Sequence, residues 1–311
     1  MTPRHLLLPL SVLALTSGVR ASQYLGAEID VRFIGGNDHE VRLLLWRDCS
    51  GAAAIGAQSV NYESPCGSGS LVLPLDVGAT TDVSPLCATS LAGSACNGGA
   101  LPGHERVEYA AIVSLVPCNV WTFTYVGCCL SQANNMSTAT VELVVHTTYN
   151  NVDLACRNAP RFAHPGLPFR CSNTPFTLDM LGVIDGQGTA QYALVSLLTS
   201  SGTIAPYTAP VYTGPEPYPG LTISATTGIL STASTGAFGY WTIVPKLSQY
   251  DGTTLLASVE RAFLMPTANL SDQPPFATGG APVWTGGGGF VTGDRTMELG
   301  VGDALCASMT Y

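Results

Sequence analysis

The chain has 311 residues, which is long enough for two domains with separate cores. Only 11% of the residues are charged and the formal net charge is -9, which excludes the basic surface that a nucleic-acid partner needs. Many Gly, Pro, Ser and Thr residues between short apolar runs are typical of secreted β-rich proteins rather than helical or disordered ones.

The first 21 residues have the pattern of a signal peptide. Arg4 and His5 precede an apolar run at 6–15, and Val19 and Ala21 are small residues at the positions expected before a cleavage site. That run is too short to cross a bilayer of ~30 Å. We therefore expect export to the cell surface or the extracellular space, with no transmembrane segment after cleavage.

Residues 22–150 are predicted to form a Cys-rich β-sandwich. Residues 50–70 are predicted to be a loop, and a Gly-rich turn at 35–38 joins the first two strands into a hairpin. Alternation of apolar and polar residues predicts strands at 27–33, 41–49, 71–75, 107–116, 118–129 and 139–148.

The strand at 118–129 is predicted to be the centre of this unit. Trp121, Phe123 and Tyr125 share one side of it, because side chains alternate along a strand. The same alternation places Cys129 on the aromatic side and Cys128 on the opposite side, where each would have a different partner.

A shift in composition at 149–151 predicts a domain boundary. Residues 151–267 are predicted to form a second, immunoglobulin- or cadherin-like sandwich, and 268–311 a Gly-rich linker with the start of an incomplete module. The predicted fold class is therefore all-β, with tandem antiparallel sandwiches braced by disulfides. The strands expected in the second unit are 176–180, 191–198, 221–224, 239–244 and 254–265.

Ten cysteines in an exported chain are expected to pair rather than to bind metal, since the CxxC spacing of zinc sites is absent and the histidines are dispersed. We expect Cys87–Cys96 first, across an irregular segment, and then Cys156–Cys171. A core bridge from Cys49 to Cys129 is a further hypothesis, because each shares its side with apolar residues. The candidates for pairing are Cys49, Cys66, Cys87, Cys96, Cys118, Cys128, Cys129, Cys156 and Cys171; Cys306 has no expected partner in its own unit.

Several motifs together resemble a known group of proteins. The motifs are Trp46-Arg47-Asp48-Cys49, Val83-Ser84-Pro85-Leu86-Cys87, Cys96-Asn97-Gly98-Gly99 and Trp121-Thr122-Phe123-Thr124-Tyr125 before Cys128-Cys129. In this order they are similar to the N-terminal repeat module of large secreted Bacteroidetes surface proteins, described as gliding-motility-associated or adhesin-like. The resemblance extends over about 27–266 and implies serial β-sandwich modules with a structural or adhesive role and no enzyme activity. Relatives have an acidic turn that could hold calcium, whereas the matching turn here has only Asp185, so a plain turn is expected.

Two functional alternatives remain open beside the structural one. A secreted hydrolase would need catalytic motifs that are absent from the sequence, and His104-Glu105-Arg106 is better explained as solvated charges than as a catalytic base with its partners. We therefore expect no enzyme activity and no cofactor. Tyr207, Tyr212 and Tyr218 stand in Pro-rich loops, where they could either bind surface glycans or other cell-surface proteins or simply pack the loop.

Overall fold

The computed structural model describes residues 24–268 with short gaps, together with the pairs 283–284 and 307–308. The gaps are 52–55, 85, 87, 131, 139–140, 164–166, 168–169, 172–174, 187, 209–211 and 234–238. The predicted signal peptide, Cys87, Cys306 and nearly all of the predicted third module lie outside the described residues.

β-Strands dominate the described part of the chain, which confirms the all-β prediction. Two 3₁₀ helices, η1 (Ala88–Gly93) and η2 (Ala95–Asn97), lie between strands, and no helix in the described ranges is long and apolar enough to span a membrane. The strands are β1 (Tyr24–Gly35), β2 (Asp38–Asp48), β3 (Ala57–Ser64), β4 (Gly67–Asp82), β5 (His104–Ser114), β6 (Trp121–Leu130), β7 (Val141–Tyr149), β8 (Arg161–Phe162), β9 (Arg170–Cys171), β10 (Phe176–Asp179), β11 (Gly182–Val183), β12 (Thr189–Leu194), β13 (Thr222–Ile223), β14 (Ile229–Thr232), β15 (Gly239–Ile243), β16 (Pro245–Asp251), β17 (Thr254–Ala268), β18 (Val283–Trp284) and β19 (Ala307–Ser308).

The main sheet returns to its first strand. Its order is β1-β2-β5-β4-β3-β6-β7-β17, and each neighbouring pair is antiparallel. β17 pairs with β7 through residues 257–259 and with β1 through residues 261–263, so it bridges the last and first strands of the ring. We call these eight strands the closed sheet.

Alternate side chains of the closed sheet fill its interior. Because successive residues point to opposite sides of a strand, one set from every strand meets in a common core. This set includes Ile29 and Val31 of β1, Leu43 and Leu45 of β2, Tyr109 of β5, Val60 of β3, Phe123 and Tyr125 of β6, Leu143 and Val145 of β7, and Val259 of β17, all buried. The aromatic side of β6 is therefore a core side, as its sequence predicts.

The closed sheet corrects the predicted organisation in two places. β17 belongs by sequence to the predicted second unit, yet it pairs with β7 and β1 of the first, so residues 22–150 and 151–267 do not form two separate sheets. Residues 50–70, predicted to be a loop, contain β3, which lies between β4 and β6. The second unit also contributes β15, β16 and β12 along the other edge of β17, and a small sheet of β10, β14 and β13.

A buried ion pair joins β1 to β17. Glu28 and Arg261 are 0% and 3% exposed, and their side chains are in direct contact. The backbone of Phe162 completes the arrangement, since its carbonyl accepts from Arg261 Nη2 at 2.9 Å and its N–H donates to Glu28 Oε1 at 3.3 Å. The guanidinium carbon also lies 4.9 Å from the ring centroid of Trp46. Burial raises the pKa of Glu28, and the charge of Arg261 opposes that shift.

β1 and β17 also approach each other closely at Gly26, where only a glycine fits. A Cβ placed on Gly26 would lie 2.6 Å from the carbonyl oxygen of Ala262 in β17. Any larger side chain would push β17 away from β1 and weaken the closure of the sheet.

The closed sheet has two distinct ends. We call the upper end the one that carries the turns after β1, β3 and β5 and the turn before β17, and the lower end the one where Tyr24 and Ala268 lie. Among the cysteines that the structure describes, two long-range disulfides tie the ends: Cys66–Cys118 at the upper end and Cys49–Cys96 at the lower end. This confirms that disulfides brace the fold.

Candidate functional site

The outer side of β1, β2 and β5 carries charged side chains that pair with one another. Arg42 Nε is 2.7 Å from Glu40 Oε2, and Arg42 Nη1 is 3.5 Å from Glu108 Oε2 on the neighbouring strand. Three arginines and three carboxylates cancel, so this surface has little net field. We call it the charged face; its residues are Asp30, Arg32, Glu40, Arg42, Arg106 and Glu108.

The outer side of β3, β4, β6 and β7 carries few charged side chains, and we call it the neutral face. Glu63 adds a carboxylate at its upper edge. Towards the lower end, Asp76 of β4 also points outward, and Glu142 of β7 accepts hydrogen bonds from Ser200. Within the described residues, the side chains of Asn61, Thr122 and Thr124 have no hydrogen-bond partner. These groups are therefore available to a partner molecule. The residues that form the neutral face are Ser59, Asn61, Ser68, Ser70, Thr122, Thr124 and Thr148.

A polar cluster borders the neutral face where β7 meets β17. His146 Nδ1 lies 3.1 Å from Glu260 Oε2, and Lys246 Nζ lies 3.2 Å from Glu260 Oε1. The strand register places His146 directly opposite Thr124, whose partner on β3 is Asn61. These five side chains form one row across five strands, although they are far apart in the sequence.

Glu260 is at the centre of this cluster and contacts both partners as an ionised carboxylate. Burial acts to raise the pKa of Glu260, but the hydrogen bonds from His146 and Lys246 and their charges hold it below its ordinary value. His146 is 23% exposed at its side chain, and its Nε2 has no hydrogen-bond partner in the part of the chain described. The row therefore presents a fixed imidazole nitrogen and an ammonium group beside free hydroxyls.

The second row of the neutral face consists of hydroxyl groups. Thr122 of β6 lies opposite Thr148 of β7, and Thr148 lies opposite Ser258 of β17. The hydroxyls of Thr148 and Ser258 are 2.8 Å apart. Two parallel polar rows, roughly 6.8 Å apart along the strands, thus extend across the outer surface of the sheet.

The three tyrosines considered as ligand contacts have packing roles. Tyr218 is 0% exposed, and its ring meets Trp241 edge-on with centroids 4.6 Å apart. Tyr212 packs against the same ring at 5.4 Å, while the hydroxyl of Tyr207 accepts a hydrogen bond from the N–H of Leu197 at 3.0 Å. Their placement matches the packing alternative, with Tyr218 fully buried and Tyr207 and Tyr212 partly buried.

The predicted disulfide pairings are wrong wherever the described residues contain them. Cys96 bonds to Cys49, which contradicts both Cys87–Cys96 and Cys49–Cys129. The reason is that the end of β2 meets the segment before β5, where Cys49 N–H donates to Gly103 O at 2.9 Å. Local spacing does not show this contact, because 47 positions separate the two cysteines.

Cys128 and Cys129 bond to each other, instead of binding two different neighbours. The pairing of β6 with β7 shifts register between Gly127 and Leu130, so the strict alternation that predicted opposite sides fails at these two residues. The peptide bond between them is cis.

Cys156 is a free, exposed thiol, which contradicts the predicted Cys156–Cys171 bridge. The neighbouring Asn158 accepts a hydrogen bond from Phe33 N–H near the upper end, whereas β9 pairs with the last residues of β17 at the lower end. The two cysteines therefore lie at opposite ends of the sheet.

His104-Glu105-Arg106 contributes to structure rather than to a solvated surface. His104 is 5% exposed, and burial lowers the pKa of its imidazole. Glu105 pairs with Arg47, and Arg106 pairs with Glu108. Glu105 also lies near Cys49 and Cys96 in a group that could hold a metal ion, but those sulfurs are joined in a disulfide and offer no thiolate.

An open cleft of about 570 Å³ lies beside the small sheet of β10, β14 and β13. Most of its hydroxyl groups are engaged within the protein, because Thr222 bonds to Ser231 and Thr232 bonds to the carbonyl of Pro219, whereas Thr177 is exposed. Asp185, the one carboxylate of the turn considered above as a calcium site, accepts hydrogen bonds from Asn158. Neither place offers free ligand groups comparable to the neutral face.

No protein-family model, curated protein or solved structure matches the chain. The candidate site therefore depends on its geometry alone. Sequence reasoning missed it because His146, Lys246 and Glu260 lie on three strands, and only the pairing of β17 with β7 and β16 brings them together. The alternation of Thr122 and Thr124 with buried aromatics was the one signal that pointed to a polar outer surface.

Proposed function

We propose that the protein is a non-catalytic structural or adhesive protein of the cell surface or extracellular space, exported through its N-terminal signal peptide. The observation that carries the proposal is the contrast between a covalently braced closed sheet and a neutral outer face with polar groups that have no partner within the described part of the protein. A stable scaffold that leaves such groups free suits contact with another surface.

Two further features support the structural part of this role. Cys66–Cys118 and Cys49–Cys96 close long loops of the chain at opposite ends of the sheet. The ion pair of Glu28 and Arg261 fastens the first strand to the last one. Both devices oppose unfolding outside the cell, where disulfides persist and proteases are abundant.

We extend the proposal to a protein built of β modules in series, in which the closed sheet and its additional strands form one unit. The resemblance of the cysteine and turn motifs to Bacteroidetes surface proteins supports this reading. It also supports surface glycans or other cell-surface proteins as partners.

An attachment assay tests the proposed function. Beads coated with the oxidised protein are applied to surfaces of neutral polysaccharide, anionic polysaccharide, extracellular protein and whole cells, and retention under flow is measured. We expect retention on at least one surface, at levels well above beads coated with the reduced, unfolded chain. Equal retention of the two bead types would contradict an adhesive role, and turnover of a polymer by the purified protein would favour a secreted hydrolase instead.

A further inference from the structure

We propose that the neutral face binds an uncharged oligosaccharide and that the cluster of His146, Glu260 and Lys246 anchors it. This inference rests on the proposed adhesive function and names the class of partner. Its first support is the row in which Asn61, Thr124 and His146 stand on neighbouring strands. Neighbouring strands are roughly 4.8 Å apart, a spacing at which one sugar ring can reach two adjacent side chains.

The free groups of the face match the chemistry of a sugar. A sugar hydroxyl both donates and accepts, and the hydroxyls of Thr122 and Thr124 and the amide of Asn61 do the same. Nε2 of His146 adds a ring nitrogen held in position, because the other nitrogen contacts Glu260 at 3.1 Å. Lys246 offers ammonium donors, of which one is directed at Glu260.

The charge balance favours a neutral ligand over a charged one. Lys246 and Glu260 cancel within the cluster, so neither an anionic nor a cationic polymer meets an uncompensated charge there. The formal charge of -9 on the whole chain further opposes anionic polysaccharides. Exposed valines at the lower part of the face, Val72 and Val126, offer apolar contact to the C–H side of a sugar ring.

Lys246 provides a selective probe, because it is the only lysine in the sequence. Reductive methylation with ¹³C-formaldehyde labels this side chain and the α-amine alone, and methylation keeps the positive charge. The dimethyl-lysine resonance then reports directly on the cluster. Cellohexaose, maltohexaose, laminarihexaose and mannohexaose are titrated into the labelled protein, with oligogalacturonate as the anionic comparison.

We expect a saturable shift of the Lys246 resonance with at least one neutral oligosaccharide and none with oligogalacturonate. The double variant Thr124→Val with Asn61→Ala removes free groups without touching Lys246 and should weaken the apparent affinity about tenfold or more. Thr222→Val, a matched change in the cleft beside the small sheet, should leave the affinity unchanged. Circular dichroism and thermal unfolding confirm that each variant is folded.

Absence of a shift with every neutral oligosaccharide overturns the inference, as does binding that survives the double variant or is lost in Thr222→Val. A shift with oligogalacturonate alone also overturns it. The bead assay separates the two proposals: beads that adhere to protein or cells without any sugar-dependent shift leave the adhesive function standing and remove only the glycan assignment.

Discussion

The charged face and the neutral face belong to the same closed sheet, yet their polar groups are satisfied in opposite ways. On the charged face, Arg42 contacts both Glu40 and Glu108, so these charges form ion pairs with one another. On the neutral face, Thr122 and Thr124 keep their hydroxyls free of protein partners. A surface whose polar groups pair with one another contributes to the stability of the fold. A surface whose polar groups lack protein partners can bind another molecule.

The two sides of the sheet also differ in how deeply their charged side chains are buried. Where β1 meets β17, Glu28 and Arg261 are covered by Phe162, while the cluster where β7 meets β17 keeps His146 and Lys246 partly exposed. Covered charges depend on their partner, since an unpaired buried charge is costly. Exposed ones can exchange the partner for water or a ligand.

The largest expected effect comes from breaking the covered ion pair. Glu28→Gln or Arg261→Met alone should lower the free energy of unfolding by about 3–5 kcal/mol, because each leaves a buried charge unpaired. Urea unfolding followed by tryptophan fluorescence measures it. The double variant Glu28→Leu with Arg261→Met should be more stable than either single one; if it is worse than both, the pair does not act as a unit.

Removing a disulfide at the upper end should have the next largest effect. Cys66→Ser with Cys118→Ser releases a loop of 52 positions and should cost about 2–4 kcal/mol of unfolding free energy. The change should weaken the part of the sheet that carries the neutral face, because no ion pair joins β3 to β6 among the described residues. Native-state hydrogen exchange should therefore rise in β3 and β4 more than in β1 and β2. Equal loss of protection in all four strands would contradict this division.

Acid should affect the neutral side through Glu260. The pKa of Glu260 is lower in the folded protein than its ordinary value of 4.5. The stability that its carboxylate contributes is therefore present above about pH 4.5. It is lost as the pH falls through the pKa of the folded state. Glu260→Gln should flatten the pH dependence of unfolding below pH 4.5. An unchanged profile in Glu260→Gln would rule out the depressed pKa.

The smallest expected effect is on the exposed part of the charged face. Arg42→Gln should cost about 1 kcal/mol or less, because partly exposed pairs are screened by solvent and salt. Thermal unfolding at low and high salt measures the change. A cost that is large and independent of salt would place these pairs in the same category as Glu28 and Arg261.

Local alternation was sufficient to predict much of the closed sheet. The hairpin of β1 and β2, and β5, β6 and β7, follow from apolar residues at every second position, since that period is a property of a single strand. β3 escaped prediction because Ser59, Asn61 and Glu63 face solvent and only Val60 is deeply buried, so its segment resembled a polar loop.

The closure of the sheet and the candidate site could not be predicted in this way. β17 reaches β1 across more than two hundred positions, and no local pattern specifies which distant strand completes a ring. The same pairing assembles His146 with Glu260, and the meeting of Cys49 with Cys96 likewise depends on tertiary contact. Residue spacing and composition therefore do not specify which distant strands pair with each other, or in which register.

A scan of introduced charges tests the central claim most directly. The chain is displayed in oxidised form on cells, each exposed position of the described strands is changed to Lys or Asp, and variants are sorted for display level and for attachment to the surface that retains coated beads. We predict that well-displayed variants that fail to attach cluster on the neutral face around Thr124 and Asn61, and that changes around Arg42 attach normally. Loss of attachment centred on the charged face, or spread evenly over both faces, would contradict the account.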